Sequence, residues 1–167
     1  MLSFPKPLVC SVTGHSPAGG CILALCCDYR VMAEGKYRIG LNEIPVGIVV
    51  PEPIFHLYSF VVGGPNAWKF FLEGTLMTSD KALEAGLVNE ACPLEEVELR
   101  AIAKAQDYLK MNAAVWSKSK LNFRKGLLTQ LTAEFEAAYG PTLKQWWSED
   151  TRAQLKAMIE GLMTKNK

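Results

Sequence analysis

Short apolar runs bounded by turn residues crowd the chain before residue 42, whereas amphipathic helical spacing fills it from residue 93 onward. This order constrains the fold more than any other feature. Residues 8–12, 29–33 and 37–41 are too short for stable helices and read as buried strands. Between the first two lie a turn, 13–20, with Gly14, Gly19 and Gly20, and a run, 21–27, that is apolar on every side. That run suits a buried helix, which Asp28 ends. Strands interleaved with a helix, then helices alone, predict an α/β fold whose sheet is incomplete within this chain.

The middle of the chain is punctuated by proline and glycine. Pro45 to Pro51 forms an apolar loop, and helices are expected over 54–62 and from Pro65 to about Gly74. Thr78 or Ser79 can cap a short helix to Ala85, with Gly86 just past its end. Leu87-Val88 reads as a small strand. Leu94, Val97, Ala101, Ala105 and Leu109 recur at three- and four-residue steps, as do Leu128, Leu131, Phe135 and Tyr139, and then Leu155, Met158, Ile159 and Leu162. Gly140-Pro141 should break or kink this pattern. The domain reading is a partial core over 1–95 and a helical C-terminal region over 96–167, both within one fold unit.

Charge excludes several classes of partner. With 18 basic and 17 acidic residues the net charge is +1, so no field of one sign invites nucleic acid or an anionic membrane. Lys118, Lys120, Arg124 and Lys125 cluster locally. A phosphate-bearing ligand could use them, but a solvated helix face is the reading preferred. The five cysteines (Cys10, Cys21, Cys26, Cys27 and Cys92) form no C-x-x-C pair and have no histidine at ligand spacing, so no metal site is expected. They read as free thiols of a reducing compartment. No secretory signal, membrane span or peroxisomal C-terminus is legible. The expectation is an intracellular, cytoplasmic protein, or a mitochondrial-matrix one if a leader precedes Met1.

Two local features can carry chemistry. Ala18-Gly19-Gly20 precedes a helix whose first N–H groups lack intrahelical partners, and two residues without side chains let a carbonyl oxygen approach them. Glu43 stands among Ile39, Leu41, Ile44 and the apolar loop to Val50, where desolvation raises a carboxylate's pKa toward the general acid/base range. Each feature alone has a bland explanation: a tight connection, and a solvated acid. His15 and His56 complete no Ser-His-Asp arrangement, and Ser16 lacks the G-x-S-x-G setting. Cys21 at a helix start could have a lowered pKa, but packing is its expected role. Trp68, Trp116, Trp146 and Trp147 are expected in the core or at subunit contacts.

Taken together, residues 6–14 (Lys-Pro-Leu-Val-Cys-Ser-Val-Thr-Gly), Pro17-Ala18-Gly19-Gly20-Cys21, Cys27-Asp28-Tyr29-Arg30 and Ile39-Gly40-Leu41-Asn42-Glu43 resemble the crotonase (enoyl-CoA hydratase/isomerase) superfamily. Ala82-Leu83-Glu84-Ala85-Gly86-Leu87-Val88-Asn89 resembles a later stretch of the same family. The resemblance implies a ββα spiral, present here only in its C-terminal part, with C-terminal helices. It implies a coenzyme A thioester as substrate, no further cofactor, and a trimer or hexamer. Within the family the likeness leans to Δ3,Δ2-enoyl-CoA isomerases. A hydratase has a second glutamate just after Gly-Gly-Cys, where this chain has Ile22. By position, Gly19 N–H becomes an oxyanion donor, Asn42 frames the substrate, and Glu43 shuttles the proton. Ile22, Val49 and Val50 then line the acyl pocket. Family members have a further N-terminal part that supplies the second oxyanion N–H and much of the CoA grip. One lost donor alone costs on the order of 10²–10³ in rate. The expected activity is therefore an impaired isomerase. The alternatives are a non-catalytic oligomerisation or interaction module, or another acyl-CoA reaction such as hydration, thioester hydrolysis or dienoyl isomerisation.

Overall fold

The computed structural model describes residues 1–132 and 135–165; the side chains of Phe135 and Leu162 lie outside what is described. Strands β1 (Val9–Val12), β3 (Tyr29–Ala33) and β5 (Glu90–Cys92) form a parallel sheet in the order β1-β3-β5. Val9 lies opposite Tyr29, Cys10 opposite Arg30, and Val31 opposite Glu90. Two-residue strands β2 (Ser16–Pro17) and β4 (Ile39–Gly40) pair in a second parallel sheet. Each turn of chain thus gives one strand to the larger sheet, one to the smaller, and then a helix. This is a partial crotonase-like ββα spiral with a helical C-terminal region and an open sheet.

Strand alternation sorts the core. Val12 and Met32 face helix α1 (Gly19–Leu25), where Cys21, Ala24 and Leu25 join them in the main cluster. Val31, Ala33 and Cys92 point the other way, against Val97 and Ala101 of α5 (Val97–Leu109). Helices α2 (Glu52–Val62), α3 (Gly64–Glu73) and α4 (Ser79–Glu84) close over the first cluster through Leu57, Tyr58, Ala67 and Ala82. Gly74 takes a left-handed φ of 58° and ends α3 where proline and glycine spacing predicted. Helices α6 (Ala113–Thr132), α7 (Phe135–Trp146) and α8 (Glu149–Lys165) complete the chain.

Four expectations change. The strand expected at Leu87-Val88 begins at Glu90, because the N–H groups of Leu87 and Val88 both turn back to the Ala82 carbonyl at 2.8 and 3.1 Å. The run 21–27 is not buried all round, since Leu23 is 59% exposed. Gly140-Pro141 does not end its helix: α7 runs through it on an exposed face, where water can satisfy the carbonyl one turn back. Trp68 and Trp147 are 62% and 70% exposed, which sets aside the core for these two and leaves subunit contacts as the expectation that fits, and the Arg152 guanidinium lies 5.3 Å from the Trp147 ring.

Candidate functional site

The turn into α1 is the most strained backbone among the described residues. Ala18 has φ 49°, the one positive φ outside glycine there, and its N–H donates to the Gly40 carbonyl at 2.9 Å. That bond extends the β2–β4 pairing by one residue and turns the chain so that Gly19 opens the helix exposed. The Gly19 N–H donates to no acceptor among the described residues, and a Cβ at Gly19 would stand in open space. A free, accessible donor at a helix start is what the glycine spacing implied. Gly20 is a glycine for a different reason: its Cβ would fall 2.7 Å from Ser16 Oγ.

The other end of the same pairing delivers Glu43. Gly40 has a positive φ of 153°, and a Cβ there would run into the Thr75 carbonyl. Only glycine therefore lets the chain pass α3 and α4 so closely before Leu41-Asn42-Glu43. Glu43 is 9% exposed and caps a 3-10 turn over Ile44–Val46. Burial raises its pKa, while bonds from the backbone N–H groups of Glu43 and Asn42 pull the other way. Its Oε2 is buried with no hydrogen-bond partner among the described residues. The groups that sense its charge are Cys21 of α1 and Tyr58 of α2, both fully buried. Burial pushes the Cys21 thiol up to about 12, so this cysteine packs rather than reacts.

Past Glu43, Val49 and Val50 come together with Ile44, Gly47, Ile48 and Phe71 around an apolar cleft of 320 Å³. Ile22 does not line this cleft; it is half-buried against the main core. Asn42 is half-buried beside Glu43. The C-terminal helices hold the cleft's outer wall. Gln145 Nε2 donates to the Gly47 carbonyl, and Val49 N–H donates to Gln145 Oε1, each at 2.9 Å. Thr142 Oγ1 donates to the Val49 carbonyl at 3.2 Å. Nothing in the spacing of α7 signalled this amide clamp.

The basic cluster on α6 divides in two. Lys118 and Lys125 are exposed, as a solvated face requires. Lys120 and Arg124 are buried and converge on Asp28: Lys120 Nζ to Oδ2 at 2.7 Å, and Arg124 Nη2 to Oδ1 at 2.9 Å. Leu8 N–H also donates to Asp28 Oδ2 at 2.7 Å. The two cations reach on to the Lys6 and Leu2 carbonyls. They border a 690 Å³ cleft between α5 and α6, at the opposite end of α1 from Gly19. Their charges are satisfied within the chain, so neither the solvated reading nor a free phosphate cradle fits them.

The ββα spiral, with a helix N-terminus beyond β2 and a buried carboxylate beyond β4, defines a partial crotonase-type fold. Residues 1–163 match the enoyl-CoA hydratase/isomerase family model, and the chain belongs to that family. It is 40% identical over 131 residues to mouse mitochondrial enoyl-CoA delta isomerase 1, covering 78% of this chain and 45% of that protein. It is 38% identical over 91 residues to the Escherichia coli 2,3-dehydroadipyl-CoA hydratase, covering 54% of this chain and 35% of the relative. The crystal structure of human mitochondrial delta3-delta2-enoyl-CoA isomerase superposes with a TM-score of 0.91 at 26% identity, over 99% of this chain and 65% of that one. The chain thus spans less than half the length of these curated relatives.

Proposed function

We propose that this chain carries the proton-shuttling half of an enoyl-CoA isomerase site, with Glu43 as the single base. The supporting observation is the state of Glu43: buried, raised in pKa, fixed by backbone N–H groups, and left with one unpartnered oxygen. Such a carboxylate can take a proton from C2 of a 3-enoyl thioester. The electron pair moves into a dienolate whose charge rests on the thioester oxygen, within reach of the Gly19 N–H and the positive end of α1. Returning the same proton to C4 shifts the double bond to C2–C3. Hydration needs a second acid/base group, and Ile22 offers none. Asn42 frames the substrate, while Val49 and Val50 hold the acyl chain.

Conversion of 3-enoyl-CoA to trans-2-enoyl-CoA, compared between wild type and Glu43→Gln, tests this reading. Activity lost in the variant supports it; equal rates remove Glu43 from its role. Absence of turnover in both turns attention to a second reading, an interaction or oligomerisation module. That reading draws on an exposed stripe along α5 (Leu99, Ile102 and Leu109, at 69, 55 and 71%) and on the outer edge of β1, which pairs with no strand among the described residues. A homo-trimer or hexamer would cover both features. Sedimentation decides, because a stable monomer contradicts it.

A further inference from the structure

The apolar cleft beyond Glu43 has one rigid wall and one held by side chains alone. Phe71 of α3 belongs to the rigid wall, packed edge-on against Phe55 of α2 with ring centroids 5.4 Å apart. The facing wall is the loop that carries Val49, itself 58% exposed. The near end of this loop hangs from the proposed base: the N–H groups of Val46 and Ile48 both donate to the Glu43 carbonyl, at 3.1 and 2.9 Å. Its far end is Pro51, which leads into α2. Between these anchors, among the described residues, neither polar group of the Val49 backbone meets other backbone. Its N–H donates to Gln145 Oε1 at 2.9 Å, and its carbonyl accepts from Thr142 Oγ1 at 3.2 Å, both on α7. Gln145 Nε2 donates to the Gly47 carbonyl at 2.9 Å. One carboxamide thus serves residues 47 and 49 together, much as a residue of a neighbouring parallel strand would. Helix α8 closes in beside it: a Cβ at Gly47 would fall 2.7 Å from the Gln154 carboxamide.

We propose that Gln145 sets the acyl-chain selectivity of this site by holding Val49 in place as the outer wall of the cleft. The inference rests on the reading of Val49 and Val50 as acyl-chain contacts. Gln145 is not itself part of the cleft lining, so it is a positioning residue that acts through the loop. An alkyl chain gains most from a cleft whose walls stand in place before it arrives. A wall that has to be ordered on binding takes back part of that gain as lost conformational freedom. With the wall held, each further methylene removed from water tightens binding roughly fourfold. With the wall free, each methylene must also order the loop, and the increment falls. At 320 Å³ the cleft lies near the small end of the roughly 300–1,000 Å³ range of small-molecule sites. The placement of its wall, rather than spare room, therefore decides the fit.

Calorimetric binding of butanoyl-, hexanoyl- and octanoyl-CoA to the full chain tests this, since saturated thioesters bind without turnover and need no base. Wild type should gain roughly fourfold in affinity per methylene, and Gln145→Ala less than about twofold, with butanoyl-CoA binding nearly unchanged. Thr142→Val removes one bond and leaves the carboxamide, so it should shift the increment the same way by less; it decides the matter if Gln145→Ala does not fold. Gln145→Glu adds a signature that a merely structural role would not give. As a carboxylate it turns an acceptor toward the Gly47 carbonyl and the increment falls; protonated in acid it donates again and the increment returns. Gln145→Ala has no such recovery. Equal weakening of all three thioesters by Gln145→Ala, an increment left at the wild-type value, or binding that is absent or flat with chain length in wild type overturns the proposal. Glu43→Gln should keep the wild-type increment, so failure of the base and failure of the clamp are seen separately.

Discussion

Asp28→Asn removes a charge while keeping the shape of the side chain, and it strikes the anion on which two buried cations converge. The carboxylate accepts from Leu8 N–H, Lys120 Nζ and Arg124 Nη2, all within 2.9 Å, and the Asp28, Lys120 and Arg124 side chains are 9, 5 and 8% exposed. An asparagine retains one acceptor oxygen but presents its NH₂ to groups that only donate. Two buried cations then lose the carboxylate they share and keep only backbone carbonyls and, for Lys120, the Trp116 ring at 5.0 Å. Breaking such a buried pair typically costs about 3–5 kcal/mol, because the stranded charges keep their desolvation penalty. For a chain of this size that corresponds to a fall in Tm of roughly 6–20 °C. It is also a large share of a typical stability of about 5–15 kcal/mol. Urea unfolding followed by tryptophan fluorescence measures it, and the loss should persist in high salt, since buried pairs are poorly screened. Proteolysis should first cut the released segment before β1, which the Lys120 and Arg124 bonds to the Lys6 and Leu2 carbonyls hold down. A loss below about 1 kcal/mol, the range of exposed pairs, would refute this account of the network.

Three further outcomes follow from the site. Glu43 has a folded-state pKa above its unfolded value, so its contribution to stability is fully present below the unfolded pKa and is lost as pH rises through the folded one. Thermal melts should therefore show Glu43→Gln matching wild type in acid and exceeding it at neutral pH, while the acid limb of wild-type turnover lies above the usual carboxylate range. Gly40→Ala should cost at least about 2 kcal/mol, through positive φ and a Cβ driven into the Thr75 carbonyl, as read by urea midpoint. Gln145→Ala removes two hydrogen bonds from the loop, an expected loss of about 1–2 kcal/mol, and should speed hydrogen exchange at the Val49 amide while core amides stay protected.

The sequence was legible where one local rule decided the outcome. Strands β1 and β3, the α3 stop at Gly74 and the α4 stop before Gly86 all follow from apolar runs and glycine at left-handed positions. It misled where a distant group decided. Lys120 and Arg124 look like any solvated pair, and only an acid 92 residues away along the chain shows otherwise. Leu87 and Val88 have strand composition but are claimed by the end of α4. Within the candidate site, the open helix start at Gly19 and the burial of Glu43 were readable because their neighbours advertise them. The Gln145 clamp was not, since a glutamine on an amphipathic helix carries no signal of what it will reach.

The two halves of the candidate site are coupled by one short piece of backbone. Ser16 pairs with Ile39 and Pro17 with Gly40, and the Ala18 N–H then bonds to the Gly40 carbonyl. One residue beyond on the first strand is the exposed Gly19 donor; three residues beyond on the second is Glu43. Both strands are only two residues long, too few to set this register alone. It is imposed by what surrounds them: the Ile39–Met77 bridge, with bonds of 3.0 and 2.8 Å, and the close passage of Gly40 under Thr75. The segment between α3 and α4, which contains none of the proposed catalytic groups, therefore sets the spacing between donor and base. A one-residue slip there would turn Glu43 to the opposite face while leaving every larger element in place. The spacing of the proposed donor and base thus depends more on Gly40, Thr75 and Met77 than on the long helices that make up most of the mass.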